Sequence, residues 1–290
     1  MTPGYDGVGI VDAVGDGVTD LAVGNSCALM QQHGCCSTHL VLPAKRVVNV
    51  EAQTLEKATP EKAVCVALTG VTAYQMLHRV AGKERLEKPD AAVLVHGAAG
   101  GTGAMIVELA KLAGVKTIIG TCSARNVDAV KAAGAVAIDY HTDWQTEVKS
   151  ITNGRGVDAV LDAVVAGSYL SKGIACTARG GIYIAYGFTN SADPGTFSMG
   201  TAVLSMAHLA LQNTWSCVDG RSAVFYNVAE NRDKRPDEYA ADVRELIGLI
   251  ASGKLDPTVG KIWSFDQAKE ALLAVESGTH RGKQVVRIST

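Results

Sequence analysis

Short β-branched runs at 92–96, 117–120, 135–138, 159–161 and 182–185 alternate with helical patterns over 103–113, 126–133, 144–152 and 169–175. A strand buried on both faces reads as a continuous apolar run, and a helix between two such strands returns the chain to the same edge. Strict alternation of this kind specifies an α/β fold with a doubly wound parallel sheet.

The chain before this region has a different pattern. Gly7 to Val18 alternates apolar residues with Gly and Asp, as strand, tight turn and strand do, and His39–Pro43 and Arg46–Val50 continue the β pattern. A threonine cap at Thr59 followed by Pro60 at the first helical position begins a helix, and a further helix is expected over 71–80. Beyond the alternating region, helices are expected over 203–211, 236–252 and 265–276, with strands at Ile262–Trp263 and 284–288. In the 236–252 helix Val243, Leu246, Ile247 and Ile250 share one face, whereas the charge-dense 229–237 reads as a solvated loop.

With 47% hydrophobic and 19% charged residues the chain is not of the disordered class. Its formal net charge of −2 supplies no field to gather nucleic acid or an anionic membrane, which leaves a small-molecule substrate as the expected partner. The 7 cysteines contain no CxxC spacing and read as reduced residues of a cytoplasmic protein. No signal peptide or integral membrane segment is expected, since the apolar stretch around 201–211 is broken by Ser205 and His208 and is too short to span a bilayer.

Within the alternating region, Val93-Leu94-Val95-His96 runs straight into Gly97-Ala98-Ala99-Gly100-Gly101-Thr102-Gly103 and then into an amphipathic helix. Small residues at such a crossover let a pyrophosphate approach the backbone, where the amides and positive end of the helix bind its charge. With strand, turn, helix and next strand at the expected spacing, this reads as a dinucleotide site, the alternative being a purely structural glycine turn. An NAD site wants a carboxylate at the end of the second strand, but this chain has Thr121-Cys122-Ser123-Ala124-Arg125-Asn126 and no carboxylate until Asp128. Ser123 and Arg125 suit a 2′-phosphate, which favours NADPH; the alternative is that Arg125 opens a solvent-facing helix.

Other candidates lie near strand ends. Tyr140 either reaches the adenosine phosphate or is a half-buried loop tyrosine, and the turn containing Val164 suits a nicotinamide ribose. Gly187 and Phe188 border the nicotinamide unless Phe188 only fills core, and Thr72 is a cofactor donor or a helix cap.

Together with Leu68-Thr69-Gly70-Val71-Thr72-Ala73-Tyr74, Gly180-Gly181-Ile182-Tyr183-Ile184-Ala185-Tyr186-Gly187 and Arg281-Gly282-Lys283-Gln284-Val285-Val286, the glycine motif resembles those of the zinc-free medium-chain dehydrogenase/reductases. Within them the chain is similar to the quinone oxidoreductase branch, close to its vesicle amine transport protein-like members. The resemblance implies NADPH held in a cleft between a Rossmann domain and a GroES-like catalytic domain, hydride transfer to a quinone or an α,β-unsaturated carbonyl, and a homodimer. It also implies a pyrophosphate turn at Ala99, Gly100, Gly101 and Thr102, an adenosine-phosphate region at Ser123, Arg125 and Tyr140, and a basic tail at Arg281 and Lys283.

Family members generally carry about 60 residues of β-structure ahead of the Pro3-Gly4-Tyr5-Asp6 stretch, so a truncated GroES-like β domain is implied, with edge strands to be covered. The implied domains are 1–58, a partial GroES-like domain; 59–258, the Rossmann NADP-binding domain; and 259–290, a segment returning to the catalytic domain. Two departures stand out. Asn126 and Val127 occupy a place where relatives usually offer lysine, and Asp162-Ala163-Val164-Val165-Ala166-Gly167 replaces a more glycine-rich turn.

No metal site is expected. Gly4-Tyr5-Asp6 stands where zinc-containing relatives have Gly-His-Glu, Cys27, Cys35 and Cys36 lack structural-site spacing, and His33, Cys35, Cys36 and His39 read as a surface loop. No proton donor declares itself; Tyr5, Tyr186 and His33 are candidates that also have structural readings. Besides NADPH-dependent reduction, two other readings stand: a non-redox step on a polyketide-like substrate, and a non-catalytic NADPH-binding regulator.

Overall fold

The computed structural model describes residues 2–165, 168–187, 207, 209, 220–278 and 280–288. The chain divides into two compact units, one of residues 1–72 and 227–290 and the other of residues 73–226.

The first unit opens with an antiparallel sheet in the order β1 (Asp6–Ile10), β2 (Ser26–Met30) and β3 (Val47–Val50), in which Val8 faces Ala28 and Ala28 faces Val48. Two expected strands do not form. Residues 11–25 are a loop closed by Val11 N–H to Asn25 O at 2.9 Å and Gly24 N–H to Val11 O at 2.8 Å. Residues 39–43 are irregular, with the Ser37 hydroxyl donating to the carbonyls of Gly34 and His39. In both, the apolar alternation has nothing to bury against: Val14 is exposed, and Val41 is 97% exposed.

A short helix α1 (Ala52–Ala58) follows, which the sequence hides because it buries only Leu55 and Ala58. Proline opens α2 (Pro60–Cys65) as expected, but the Thr59 side chain makes no capping hydrogen bond; its backbone turns the corner at φ +62°. From there the chain stays helical through a π-helical stretch (66–70), α3 (Val71–Gln75), a second π-helical stretch (76–82) and α4 (Lys83–Leu86). The unit boundary falls inside α3.

The second unit is built on a six-stranded parallel sheet of β4 (Ala92–His96), β5 (Thr117–Cys122), β6 (Val136–Asp139), β7 (Val157–Asp162), β8 (Thr177–Ala185) and β9 (Ser222–Phe225). Their order is β6-β5-β4-β7-β8-β9, so the winding reverses between β4 and β7. Every residue of β4 and of β7 is buried, as strands covered on both faces must be. The connecting helices are α5 (Gly101–Leu112), α6 (Val127–Ala132), α7 (Trp144–Ile151) and α8 (Ser168–Cys176). One core cluster packs Leu94, Ile119, Ile138, Val160 and Tyr183 with Trp144 and Val148. The helix expected over 203–211 lies, apart from 207 and 209, outside the described residues.

The chain then completes the first unit. The stretch expected as a solvated loop folds as α9 (Val228–Lys234), capped by the Asn227 side chain, which accepts from the N–H groups of Ala229 and Glu230. Its Arg232 is buried, donating to Met30 O at 2.6 Å and pairing with Asp233 at 2.8 Å, so charge density here marks a satisfied guanidinium rather than solvent. Helix α10 (Pro236–Ala251) buries Val243, Leu246, Ile247 and Ile250 along its expected face, and the Tyr239 hydroxyl donates to Ala67 O at 2.7 Å. Strands β10 (Val259–Ser264) and β11 (Lys283–Arg287) pair in parallel, with α11 (Ala268–Glu276) between them in sequence. Among the described residues no helix is long and apolar enough to cross a membrane.

Candidate nucleotide-binding site

At the end of β4 the chain turns at Gly97, whose φ of +72° is open to glycine and costly for other residues. The turn is held by Gly100 N–H to Gly97 O at 3.0 Å and by Ala98 N–H to Thr121 O at 3.0 Å. Gly103 packs directly on it: a Cβ there would lie 2.2 Å from Gly97 O. Below the turn, a Cβ on Gly120 of β5 would lie 2.6 Å from the Ala98 Cβ. Sequence reasoning passed over Gly120, although a glycine inside an otherwise β-branched strand is a signal of close backbone approach.

Helix α5 therefore starts at the mouth of this turn. Gly100 caps it with no side chain, and its first turn carries no acid, so its positive end is left to a ligand anion. Gly97 and Gly100 are exposed, and Ala99, Gly101 and Thr102 are half-buried around the same end. These residues fit a pyrophosphate.

Ser123 and Arg125 follow β5 on a single 3₁₀ turn (Ala124–Asn126). The Ser123 hydroxyl accepts from the Asn126 side chain at 3.1 Å, and Arg125 is exposed. Tyr140 is joined to this strand end by its N–H to Cys122 O at 3.0 Å, and its ring lies tilted against His141 with ring centroids 4.4 Å apart. The structure thus brings Ser123, Arg125 and Tyr140 to neighbouring strand ends. It also adds Asp139, which pairs with Cys122 across the β5–β6 ladder and which sequence spacing along β5 alone does not reveal. Its carboxylate accepts from the N–H of His141 at 3.1 Å, within its own turn.

At the other side of the reversal, β7 ends on Asp162, which is fully buried. One carboxylate oxygen accepts from Val164 N–H at 2.7 Å and Val165 N–H at 3.3 Å, and the other accepts from the Tyr183 hydroxyl. The Asp162 carbonyl accepts from Tyr186 N–H at 3.0 Å. Gly187 packs on this turn, since a Cβ there would lie 3.2 Å from Ala163 O. Burial, and after it the charge of Asp162, pushes the hydroxyls of Tyr183 and Tyr186 well above the usual tyrosine range. Both are therefore held protonated. Phe188 lies outside the described residues.

His96, the last residue of β4, is fully buried with Nδ1 2.9 Å from the Thr121 hydroxyl, while Nε2 has no hydrogen-bond partner among the described residues. Its ring meets Trp144 and Tyr169 edge-on at 4.7 and 5.3 Å. Burial lowers its pKa against the opposing pull of Asp162, so the ring is kept neutral.

The remaining candidates sit in the first unit. Thr72 is buried inside α3, which removes the capping alternative. Arg281 is exposed, and the Lys283 ammonium pairs with Asp6. Tyr5 and His33 are exposed.

Residues 133–286 match a family described as zinc-binding dehydrogenases. The chain is 31% identical over 271 residues to the synaptic vesicle membrane protein VAT-1 of Tetronarce californica, covering 93% of this chain and 69% of that protein. It is 29% identical over 290 residues to a segment of the highly reducing polyketide synthase phiA of a fungal species, covering 97% of this chain and 10% of the synthase. The solved structure of Escherichia coli quinone oxidoreductase complexed with NADPH is similar with a TM-score of 0.78 at 25% identity, over 98% of this chain and 81% of that one.

The zinc of that family description finds no ready ligand set among the described residues. Among the described residues no three His, Cys, Asp or Glu side chains gather as a metal site. His39 instead lies 3.6 Å from Asp12, and burial, aided by Asp6, pushes the Cys35 thiol up to about 11.

Proposed function

Because the chain belongs to the zinc-binding dehydrogenase family and, among the medium-chain dehydrogenase/reductases, to its quinone oxidoreductase branch, we propose that it is an NADPH-dependent oxidoreductase acting on a quinone or an α,β-unsaturated carbonyl. The observation that carries the proposal is the uncapped, acid-free start of α5 over the Gly97–Gly103 turn, beside a β5 end bearing Ser123 and Arg125. The α5 amides and the backbone of Ala99, Gly100, Gly101 and Thr102 bind the pyrophosphate. Ser123, Arg125 and Tyr140 take the adenosine phosphate, with Arg125 serving in place of the lysine that relatives offer at Asn126 or Val127.

When bound, the nicotinamide supplies a hydride. The chain's own part is positioning: Val164 and Gly187, on the packed ends of β7 and β8, line the place of the nicotinamide and its ribose. The likeness to the NADPH-complexed quinone oxidoreductase supports this reading of the cofactor; the homodimer is proposed on the family resemblance alone.

The test is the rate of NADPH consumption by the full chain across a panel of quinones and enones. Acceleration with a member of the panel is expected; cofactor bound without turnover on any of them contradicts the assignment. The match to a segment of a highly reducing polyketide synthase supports a polyketide-like substrate; a non-redox step on such a substrate is the second reading. That reading requires a product of unchanged oxidation state, formed without added NADPH.

A further inference from the structure

We propose that Asp162 is a positioning residue for the nicotinamide half of the cofactor, one buried carboxylate setting both the turn after β7 and the end of β8. The proposal rests on the NADPH reading above.

Three groups converge on this side chain: the N–H groups of Val164 and Val165 on one oxygen and the Tyr183 hydroxyl on the other. The first two fix the turn, and the third belongs to the neighbouring strand, 21 residues on. The Asp162 main chain adds a further tie to that strand by accepting from Tyr186. Gly187 then rests against Ala163, where a Cβ would be a tight fit at 3.2 Å from the Ala163 carbonyl oxygen. Two backbone amides and a phenol satisfy the acceptor oxygens of this buried side chain.

Val165 shows what this anchoring does. Its φ is +46°, a left-handed conformation that glycine adopts readily and a β-branched residue resists. Such a backbone persists only where its surroundings over-determine it, and here the hydrogen bond from Val165 N–H to Asp162 acts together with burial of the side chain in the core. The strained residue lies in the turn where the sequence departs from a more glycine-rich pattern. The carboxylate helps hold at Val165 a conformation that glycine would adopt unaided, keeping Val164 and Gly187 in place at the strand ends.

A general stabilising role and a positioning role differ in what they do to two halves of one ligand. We would titrate the full-length wild type, Tyr183→Phe and Asp162→Asn with NADPH and with 2′,5′-ADP, which carries the adenosine phosphates and no nicotinamide. Tyr183→Phe removes a single hydroxyl, which keeps the experiment readable should Asp162→Asn fold poorly. The expected result is NADPH affinity weakened about tenfold in each variant, with 2′,5′-ADP affinity within about twofold of wild type. Adding Val165→Gly to Asp162→Asn should restore most of the loss, because glycine holds the turn without the anchor.

Equal weakening of both ligands, unchanged NADPH affinity in Tyr183→Phe, or absence of rescue by glycine overturns the proposal. A wild-type chain that binds neither ligand overturns the NADPH reading and this inference with it, a result distinct from the others because it appears before any substitution.

Discussion

Among the described residues between 73 and 226 most buried polar groups stand at or near strand ends, Gln75 and Thr152 at helix ends being the exceptions. His96, Thr121 and Asp162 occupy the ends where the glycine turn lies, and Asp158 sits near the opposite end of β7, paired with Lys88 at 2.8 Å and Arg155 at 3.0 Å. In the unit of 1–72 and 227–290, charge pairs instead join segments far apart in sequence: Asp6 with Lys283, Glu61 with Arg287 at 2.6 Å, Lys62 with Asp256 at 2.5 Å, and Arg46 with Asp233 at 3.4 Å. The difference follows from how each unit is built. A six-stranded parallel sheet buries enough apolar surface to hold itself, which frees its strand ends for chemistry. The short antiparallel sheet leaves Ile10, Val23 and Val41 exposed, and the ion pairs tie in the returning chain.

The largest predicted effect falls on the glycine turn. Gly103→Ala forces a Cβ against Gly97 O, costing about 3 kcal/mol of stability and more than about 100-fold in NADPH affinity; urea unfolding and titration read the two. Asp158→Ala should come next, at about 2–3 kcal/mol by urea unfolding with cofactor affinity little changed. It removes the acceptor of the buried Ala92 N–H, while Lys88 and Arg155 are exposed enough to rehydrate. Burial alone pushes the Asp158 carboxyl up, but Lys88, the Ala92 N–H and Arg155 outweigh it and hold it below the usual carboxylate range.

In the first unit, Asp6→Asn should cost about 1–2 kcal/mol in thermal unfolding, because it takes one charge from a largely buried pair and leaves Lys283 there. For His96 the prediction concerns pH. Its folded pKa is depressed, so the unfolded chain takes up a proton near pH 6.5 while the folded ring resists it. The stability this contributes is complete above about pH 6.5 and falls as pH drops towards the folded pKa, with a slope of at most about 1.4 kcal/mol per pH unit. His96→Gln should flatten that part of a stability profile measured between about pH 7 and 5. At the small end, Leu272→Lys on the exposed side of α11 should stay within about 0.5 kcal/mol in thermal unfolding.

These contrasts also explain what could be read before the structure. Strands β4, β5, β7 and the second half of β8 were legible because burial on both faces writes an uninterrupted apolar run, whereas β6, which buries only Ile138, was legible by its place in the alternation. Strand β9, Ser222–Phe225, buries only Ala223 and leaves no such trace. The strands expected at 11–18 and 39–43 had the alternation without a partner surface, and α9 was masked by its charge although Asn227 was there to cap it.

In the candidate site the glycine turn was legible because backbone conformation and close packing demand that residue type at fixed places in sequence. Asp162 and His96 were not, since their meaning comes from Tyr183 and Thr121, distant in sequence and adjacent only once the strands pair. Lys283 shows the converse: a basic residue at an expected place, which the fold pairs with Asp6.

The central claim is that the end of β5, with Ser123 and Arg125 in place of a carboxylate, selects NADPH. Fluorescence titration of the full chain with NADPH and NADH, repeated for Arg125→Ala, tests it most directly. The account predicts NADPH binding at least about tenfold tighter than NADH, with Arg125→Ala abolishing most of that preference and leaving NADH affinity unchanged. Equal affinity of the wild type for the two cofactors would contradict it.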